Sequence, residues 1–155
     1  MAEQTTTVHA SAVLFGARAV LIRGPSGAGK SRLALALIGA KFGGALAFAR
    51  LVGDDRVHLE AAGGRLLVRP ADTLAGLIEL RGVGLLKLPY EPCAVVGLVV
   101  DLAAEDAERL PQPSQRQVEV SGILLPRIAL APGENALPVV LAAVSGVNFP
   151  TTRAE

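Results

Sequence analysis

The chain is poor in several residue types, and each shortage excludes a class of protein. Its 155 residues include one cysteine, no tryptophan and only 3% aromatic residues, so an intrachain disulfide is impossible and the core must be aliphatic. The formal net charge is +1 and the basic residues are scattered, which argues against nucleic acid or a membrane surface as a partner.

Long apolar runs are also missing from the sequence. No stretch approaches about 18 uninterrupted apolar residues, and Met1 to Val8 is polar, so we predict neither a membrane-spanning helix nor a secretion signal. We therefore expect a cytoplasmic protein that forms a single domain. Cys93 is interpreted as a small, buried apolar side chain.

The strongest motif is a complete phosphate-binding loop of the form G-x-x-x-x-G-K-[ST]. It consists of Gly24, Pro25, Ser26, Gly27, Ala28, Gly29, Lys30 and Ser31. The glycines let successive backbone N–H groups converge on phosphate oxygens, the lysine reaches the outer phosphates, and the hydroxyl can ligate Mg²⁺. An apolar run precedes the loop and a helical stripe follows it, which is the context that the motif requires. We predict that the chain binds a nucleotide or a polyphosphate.

The remaining pattern predicts an α/β fold, in which a mixed sheet with two principal helices surrounds the phosphate loop. One helix begins near Lys30 and ends near Gly39 or before Gly43-Gly44, and the other covers Asn135–Val147. The predicted strands cover residues 12–15, 17–22, 51–52, 57–60, 65–68, 94–101, 118–120 and 123–129. The glycines within Leu77–Leu88 predict a backbone kink or a mobile loop.

Acidic residues that could face the loop are the candidates for chemistry. Asp54 and Asp55 end a short apolar strand, where a carboxylate could hold Mg²⁺ or accept a hydroxyl proton. Successive strand residues point to opposite faces, so we expect the two carboxylates to divide these roles. Glu79 is either a magnesium ligand or a charge that is exposed or internally paired. His9, taken alone, predicts only a solvated histidine near the first hairpin.

Four segments together resemble the catalytic domain of the HPr kinase/phosphorylase family. They are His9–Ser11, the Gly24–Ser31 loop, Leu51–Asp55 and Leu77–Gly84, in the family's order and at similar spacings. The loop is unspecific, whereas the Asp-Asp pair followed by Ile-Glu-Leu-Arg-Gly-Val-Gly is close to a family signature. That signature segment includes Arg81, Gly82 and Gly84.

The resemblance implies a fold related to phosphoenolpyruvate carboxykinase and a serine kinase. Its substrate would be HPr, the phosphocarrier protein of the sugar phosphotransferase system, and its donor ATP or pyrophosphate. By resemblance, Lys30 stabilises the phosphates, Ser31 and Glu79 are Mg²⁺ ligands, and Asp55 is the base that takes the serine proton. His9 would lie near that aspartate and tune its acidity. The family also implies a homo-oligomer, commonly a hexamer.

Three departures from the family pattern change what we expect. Only about eight residues precede His9, as in a short form of the family, so residues 1–155 are expected to form a single phosphate-loop kinase domain. Pro132-Gly133-Glu134-Asn135 stands where the family typically has Pro-Gly-Arg-Asn, so a carboxylate replaces a catalytic arginine, and Arg127 is a candidate substitute. The chain also ends before a region linked to dephosphorylation. We therefore expect a kinase with weak or absent phosphorylase activity.

Two other functions stay open on the sequence alone. A small-metabolite kinase or a pyrophosphate-using transferase could share the same loop. A nucleotide-sensing regulatory protein would bind ATP and signal without phosphoryl transfer. Glu134 favours this alternative, because a carboxylate near a transferring phosphate would oppose the reaction.

Overall fold

The secondary structure consists of short strands, two α-helices and two short 3-10 helices. The computed structural model describes residues 5–42, 45–46 and 48–145. The α-helices in this part of the chain are α1 (Lys30–Ile38) and α2 (Ala136–Val144), and the 3-10 helices cover Asp72–Leu74 and Pro113–Arg116. The strands are β1 (Thr5–Val8), β2 (Ala10–Phe15), β3 (Arg18–Arg23), β4 (Lys41–Phe42), β5 (Ala45–Leu46), β6 (Ala49–Gly53), β7 (Val57–Ala62), β8 (Arg65–Pro70), β9 (Leu77–Leu80), β10 (Gly84–Lys87), β11 (Ala94–Asp101), β12 (Gln117–Val120) and β13 (Ile123–Ala129).

Nine of these strands form one mixed sheet, which confirms the predicted fold class. The order is β1-β7-β8-β11-β3-β2-β6, and β13 joins at β11 with β12 beside it. The central strand β3 is antiparallel to β2 and parallel to β11, and β11 is parallel to β13. Because parallel neighbours end at the same edge, the loops that follow β3, β11 and β13 meet there.

The strand β3 is buried on both faces, which explains its unbroken apolar sequence. Ala19 and Leu21 pack in the cluster formed with the antiparallel strands β7 and β8. Val20 and Ile22 point the other way and pack with Leu37 of α1. Apolar contacts on both sides therefore hold the end of β3, where the phosphate loop begins.

Most predicted elements are confirmed, but the kink or mobile loop predicted over Leu77–Leu88 is wrong. The segment is an antiparallel hairpin of β9 and β10, in which Leu80 pairs with Gly84. Ile78 is buried and packs in the same cluster as α1. The apolar residues thus obtain partner strands, and the glycines lie in or next to the turn.

Cys93 is exposed, so the expectation that it is buried is also wrong. It follows Pro92 and precedes the first residue of β11, so it lies outside the strand that enters the core. Residues 146–147 of the predicted last helix lie outside the described residues. No helix in the described ranges is long and apolar enough to cross a membrane.

Candidate active site

The phosphate loop lies between the end of β3 and the start of α1. Gly29 caps the helix with φ of +99°, a left-handed conformation that favours glycine over other residues. Gly24 packs so closely against the residue that follows β11 that an added Cβ would lie 3.0 Å from the carbonyl oxygen of Leu102. The Lys30 ammonium donates hydrogen bonds to the carbonyls of Gly24 (2.7 Å) and Pro25 (3.1 Å). The lysine therefore lies over the loop that it is predicted to serve.

Asp54 contacts the first turn of the helix that follows the loop. The Ser31 hydroxyl lies 2.8 Å from both carboxylate oxygens of Asp54 and donates to them. Gly53 pairs with Ala12 of β2, and β2 lies between β3 and β6, so the end of β6 reaches the same edge as the loop. The structure thus brings together Ser31 and Asp54, two of the predicted site residues that are far apart in sequence.

Asp54 is a buried charge, only 4% exposed. The Ser11 hydroxyl donates a 2.5 Å hydrogen bond to its Oδ1 atom, and Ser11 is itself fully buried. In the described part of the chain, no lysine or arginine forms an ion pair with this carboxylate. Two serine hydroxyls therefore fix the orientation of Asp54 and compensate its burial.

Ser11 is a site residue to which the sequence analysis gave no role, although it lies in one of the segments that carry the resemblance. The available signal was its position as a polar residue inside the apolar strand Ala10–Phe15. A buried hydroxyl needs a hydrogen-bond partner, so such a residue marks a polar group on a neighbouring element. Which group that is could be found only from the strand pairing.

Asp55 differs from its neighbour in both exposure and backbone conformation. It is exposed and has φ of +67°, and the Arg56 amide donates to the carbonyl of Asp54 (2.7 Å). This hydrogen bond and the positive φ are typical of a γ-turn centred on Asp55, a strained conformation that tends to occur at functional sites. One carboxylate is therefore held inside, against the loop, while the other is presented to solvent.

The backbone of His9 runs beside the Asp54–Arg56 turn. Val8 precedes His9 and pairs with Val57, and Ala12 follows it and pairs with Gly53, so this segment lies against the two strands that the turn connects. The side chain of His9 is exposed.

Glu79 lies on β9, exposed, on the strand face opposite the buried Ile78. Arg81, Gly82 and Gly84 are exposed in the hairpin turn and at the start of β10. Among the described residues, no group of three or more His, Cys, Asp and Glu side chains is arranged to hold a metal ion.

A cleft of about 380 Å³ lies on the other side of the loop from Asp54. Its walls are residues 25–28 of the loop, Leu102 and Ala103 after β11, and residues 131–134 after β13. The Glu134 amide donates to the carbonyl of Ala131 (3.2 Å), and Gly133 has φ of +81°. Proline at the second position and glycine at the third are typical of a type II turn. This turn places Glu134, the residue that departs from the family pattern, at the cleft.

An ion network joins the strands beneath the cleft. Arg23, at the end of β3, donates to Asp101 of β11 (2.7 and 2.9 Å). Arg127 of β13 donates to Asp101 (2.6 Å) and to Asp106 (2.7 and 2.9 Å). Burial raises the pKa of Asp101, but hydrogen bonds from Arg23 and Arg127 outweigh it and leave that pKa below its ordinary value. The hydrogen bond with Asp106, partly opposed by burial, raises the pKa of Arg127.

Arg127 is thus fully engaged by this network. All three of its side-chain nitrogens donate hydrogen bonds, and it is not among the residues that line the cleft. The geometry therefore does not support the idea that Arg127 replaces the family's arginine beside the phosphate. Its contacts instead tie β13 to β11 and to the loop that contains Asp106.

The loop has the sequence of the phosphate-binding motif and lies at the end of the central strand of a mixed sheet, in contact with a buried aspartate, which is the setting expected of a phosphate-loop protein. The chain belongs to the family of the HPr serine kinase C-terminal domain, whose model matches residues 1–152.

Its relatives include the HPr kinase/phosphorylase of Streptococcus thermophilus and that of Streptococcus pneumoniae. Each is 37% identical to this chain in an alignment 154 residues long, and the alignment covers 90% of this chain and 47% of the relative. The chain therefore spans about half the length of the curated relatives that it matches. Among solved structures, the HPr(Ser) kinase/phosphatase from Coxiella burnetii matches with a TM-score of 0.71 and 26% identity, over 90% of this chain and 93% of that one. The predicted family and fold are confirmed.

Proposed function

We propose that this chain transfers the terminal phosphoryl group of ATP, or of pyrophosphate, to a serine of HPr. The observation that supports this proposal most directly is the contact between Ser31 of the phosphate loop and the buried carboxylate of Asp54. That contact supports an acidic pair next to the bound phosphates, where Mg²⁺ must be held and an incoming hydroxyl oriented and deprotonated. Family membership supplies HPr as the substrate to test.

In the proposed reaction the loop amides and Lys30 hold the phosphates of the donor. The serine hydroxyl of the acceptor forms a bond to the terminal phosphorus as the bond to the bridging oxygen breaks, and its proton passes to a carboxylate. Because the transition state of phosphoryl transfer is loose, positioning and charge compensation account for most of the catalysis. The apolar side chains that pack on both faces of β3 hold the start of the loop in one position.

The two neighbouring carboxylates suit two different roles. A general base must lie within hydrogen-bond reach of the proton that it accepts. Asp55 is exposed, whereas Asp54 is only 4% exposed and accepts hydrogen bonds from Ser11 and Ser31. We therefore keep Asp55 as the base, as the resemblance assigns it, and assign Asp54 to the magnesium position beside Ser31.

The residues present fit a magnesium ion, which usually binds one or two carboxylates together with phosphate oxygens. Ser31 and one carboxylate of the Asp54–Asp55 pair would hold it, with Glu79 as a further candidate by resemblance. When bound, Mg²⁺ neutralises the developing negative charge on the phosphates. The hydroxyl of Ser31 is already directed at this region by its hydrogen bonds to Asp54.

The test is transfer of labelled phosphate from ATP to purified HPr, with substitutions that separate the roles. Lys30→Met is expected to abolish labelling while the chain stays folded. Asp55→Asn is expected to reduce the rate by at least roughly 100-fold, the usual contribution of a general base, with ATP binding retained. If Asp54→Asn produces that loss with ATP binding retained and Asp55→Asn does not, the base assignment moves to Asp54. Glu119→Gln, an exposed acid on the edge strand β12, is the control.

A second candidate function is a sensor that binds nucleotide without transferring phosphate. The residue that Glu134 replaces favours it, because without the arginine of the family's Pro-Gly-Arg-Asn pattern a transferring phosphate lacks one source of positive charge. The missing arginine also leads us to propose that the reverse, phosphorylase reaction is weak. Tight ATP binding with no label on HPr would support the sensor, and release of phosphate from serine-phosphorylated HPr on adding inorganic phosphate would contradict the weak reverse reaction.

A further inference from the structure

The phosphate loop has two unlike sides. On the side of β2 and β6 lie Ser11 and the buried Asp54, in contact with Ser31. On the side of β11 and β13 lies the open cleft of about 380 Å³. If the terminal phosphate faces Asp54, the rest of the donor must leave the loop on the side of the cleft.

The sheet register fixes this cleft in place. Beyond the strands, three backbone amides donate to backbone carbonyls, each at 2.9 Å. These hydrogen bonds run from Leu102 to the carbonyl of Arg23, from Leu130 to that of Asp101, and from Ala104 to that of Leu130. These hydrogen bonds continue the pairing past the ends of β3, β11 and β13. The cleft wall is therefore part of the sheet, and its volume lies within the roughly 300–1,000 Å³ usual for small-molecule sites.

The chemistry of the lining does not suit further phosphate groups. None of the described residues that line the cleft is basic, and the only charged side chain among them is Glu134. The other walls are small or apolar, including Pro25, Leu102 and Pro132. A carboxylate repels phosphate but accepts hydrogen bonds from hydroxyl groups, and acidic residues bind ribose in this way in other nucleotide sites.

We propose that Glu134 accepts hydrogen bonds from the ribose hydroxyls of a nucleoside triphosphate, whose base lies against the apolar wall of the cleft. The carboxylate thereby selects a nucleotide over pyrophosphate as the phosphoryl donor. This inference rests on the proposed function only in that the loop holds a phosphoryl donor. It gives the departure from the family's Pro-Gly-Arg-Asn pattern a role in substrate choice.

The test is calorimetric titration of the full chain, with Mg²⁺ present and no acceptor protein. The ligands are ATP, 2′,3′-dideoxy-ATP and pyrophosphate, and the variants are Glu134→Ala and, as matched control, the exposed Glu119→Ala. For the wild type, we expect dideoxy-ATP to bind roughly ten-fold or more weakly than ATP, the loss typical of a hydrogen bond to a charged group. Glu134→Ala should weaken the binding of ATP by a similar factor and change the affinity for dideoxy-ATP less than about two-fold. Pyrophosphate should bind as tightly as to the wild type, or more tightly.

Three results would overturn the proposal. The first is an equal loss of affinity for ATP and for dideoxy-ATP in Glu134→Ala. The second is an unchanged affinity for ATP in that variant, and the third is wild-type binding of pyrophosphate that is as tight as that of ATP. Thermal melts of both variants check that the fold is intact, since both side chains are exposed.

The outcome is separable from that of the labelling assay. If the titrations give the expected affinities but HPr is not labelled, the proposed kinase activity is refuted and this inference stands. If HPr is labelled but the wild type binds ATP and its dideoxy analogue equally well, the kinase activity stands and this inference is refuted.

Discussion

Replacing Ser11 by alanine tests the buried contact that orients the central carboxylate. Ser11 is fully buried, and its hydroxyl donates a 2.5 Å hydrogen bond to Asp54, which is 4% exposed. A hydrogen bond to a charged group contributes about 1.5–3 kcal/mol to the free energy of unfolding. For a domain of this size, that loss corresponds to a decrease of roughly 3–12 °C in melting temperature. Asp54 keeps the hydroxyl of Ser31 as a donor, so the fold is expected to survive.

The assay is urea unfolding at neutral pH, combined with a double-mutant cycle. In an Asp54→Asn background the Ser11 hydroxyl faces a neutral amide, so Ser11→Ala should cost about 1 kcal/mol less than in the wild type. Ser114→Ala, at an exposed position, is the matched control and should change the free energy of unfolding by less than about 0.5 kcal/mol.

The same variant separates orientation from binding. Because Ser11 acts through Asp54, its loss should lower kcat for HPr labelling by roughly 10-fold or more, as for other residues that orient a reacting group, while KM for ATP changes little. An unfolding free energy within about 0.5 kcal/mol of the wild type, or the same cost in both backgrounds of the cycle, would refute the hydrogen bond and the reasoning built on it.

Two further predictions concern the frame around the site. Gly53→Ala would place a Cβ 2.7 Å from Cγ1 of Val57 and 3.2 Å from Cα of Pro70, so it should cost about 1–3 kcal/mol of stability in urea unfolding. The control Gly39→Ala, whose nearest atom is 3.8 Å away, should cost much less, and equal losses would contradict the steric argument. The lowered pKa of Asp101 means that its carboxylate contributes stability that is present above the ordinary value of 3.8 and is lost as pH falls through the lower folded value. Unfolding free energies of the wild type should therefore fall more steeply in acid than those of Asp101→Asn, and parallel profiles would argue against this contribution.

The sequence by itself determined most of the elements and the position of the phosphate-loop motif. The loop could be predicted because glycines, lysine and serine at fixed spacing have few other uses, and β3 and α1 could be predicted because their apolar periods are long and regular. The hairpin of β9 and β10 was not predicted, since its glycines fit a kink as well as a turn. The exposure of Cys93 depended on the residue at which β11 enters the sheet.

Only the tertiary structure decided how the site is divided. Asp54 and Asp55 are neighbours with the same chemistry, and the turn that ends β6 buries one and exposes the other. Strand pairing likewise joined Ser11 to Asp54 across 43 residues and engaged Arg127 with acidic partners. The physical reason is that spacing along the chain fixes local conformation, whereas register and burial fix which side chains meet, and these depend on contacts between segments distant in sequence.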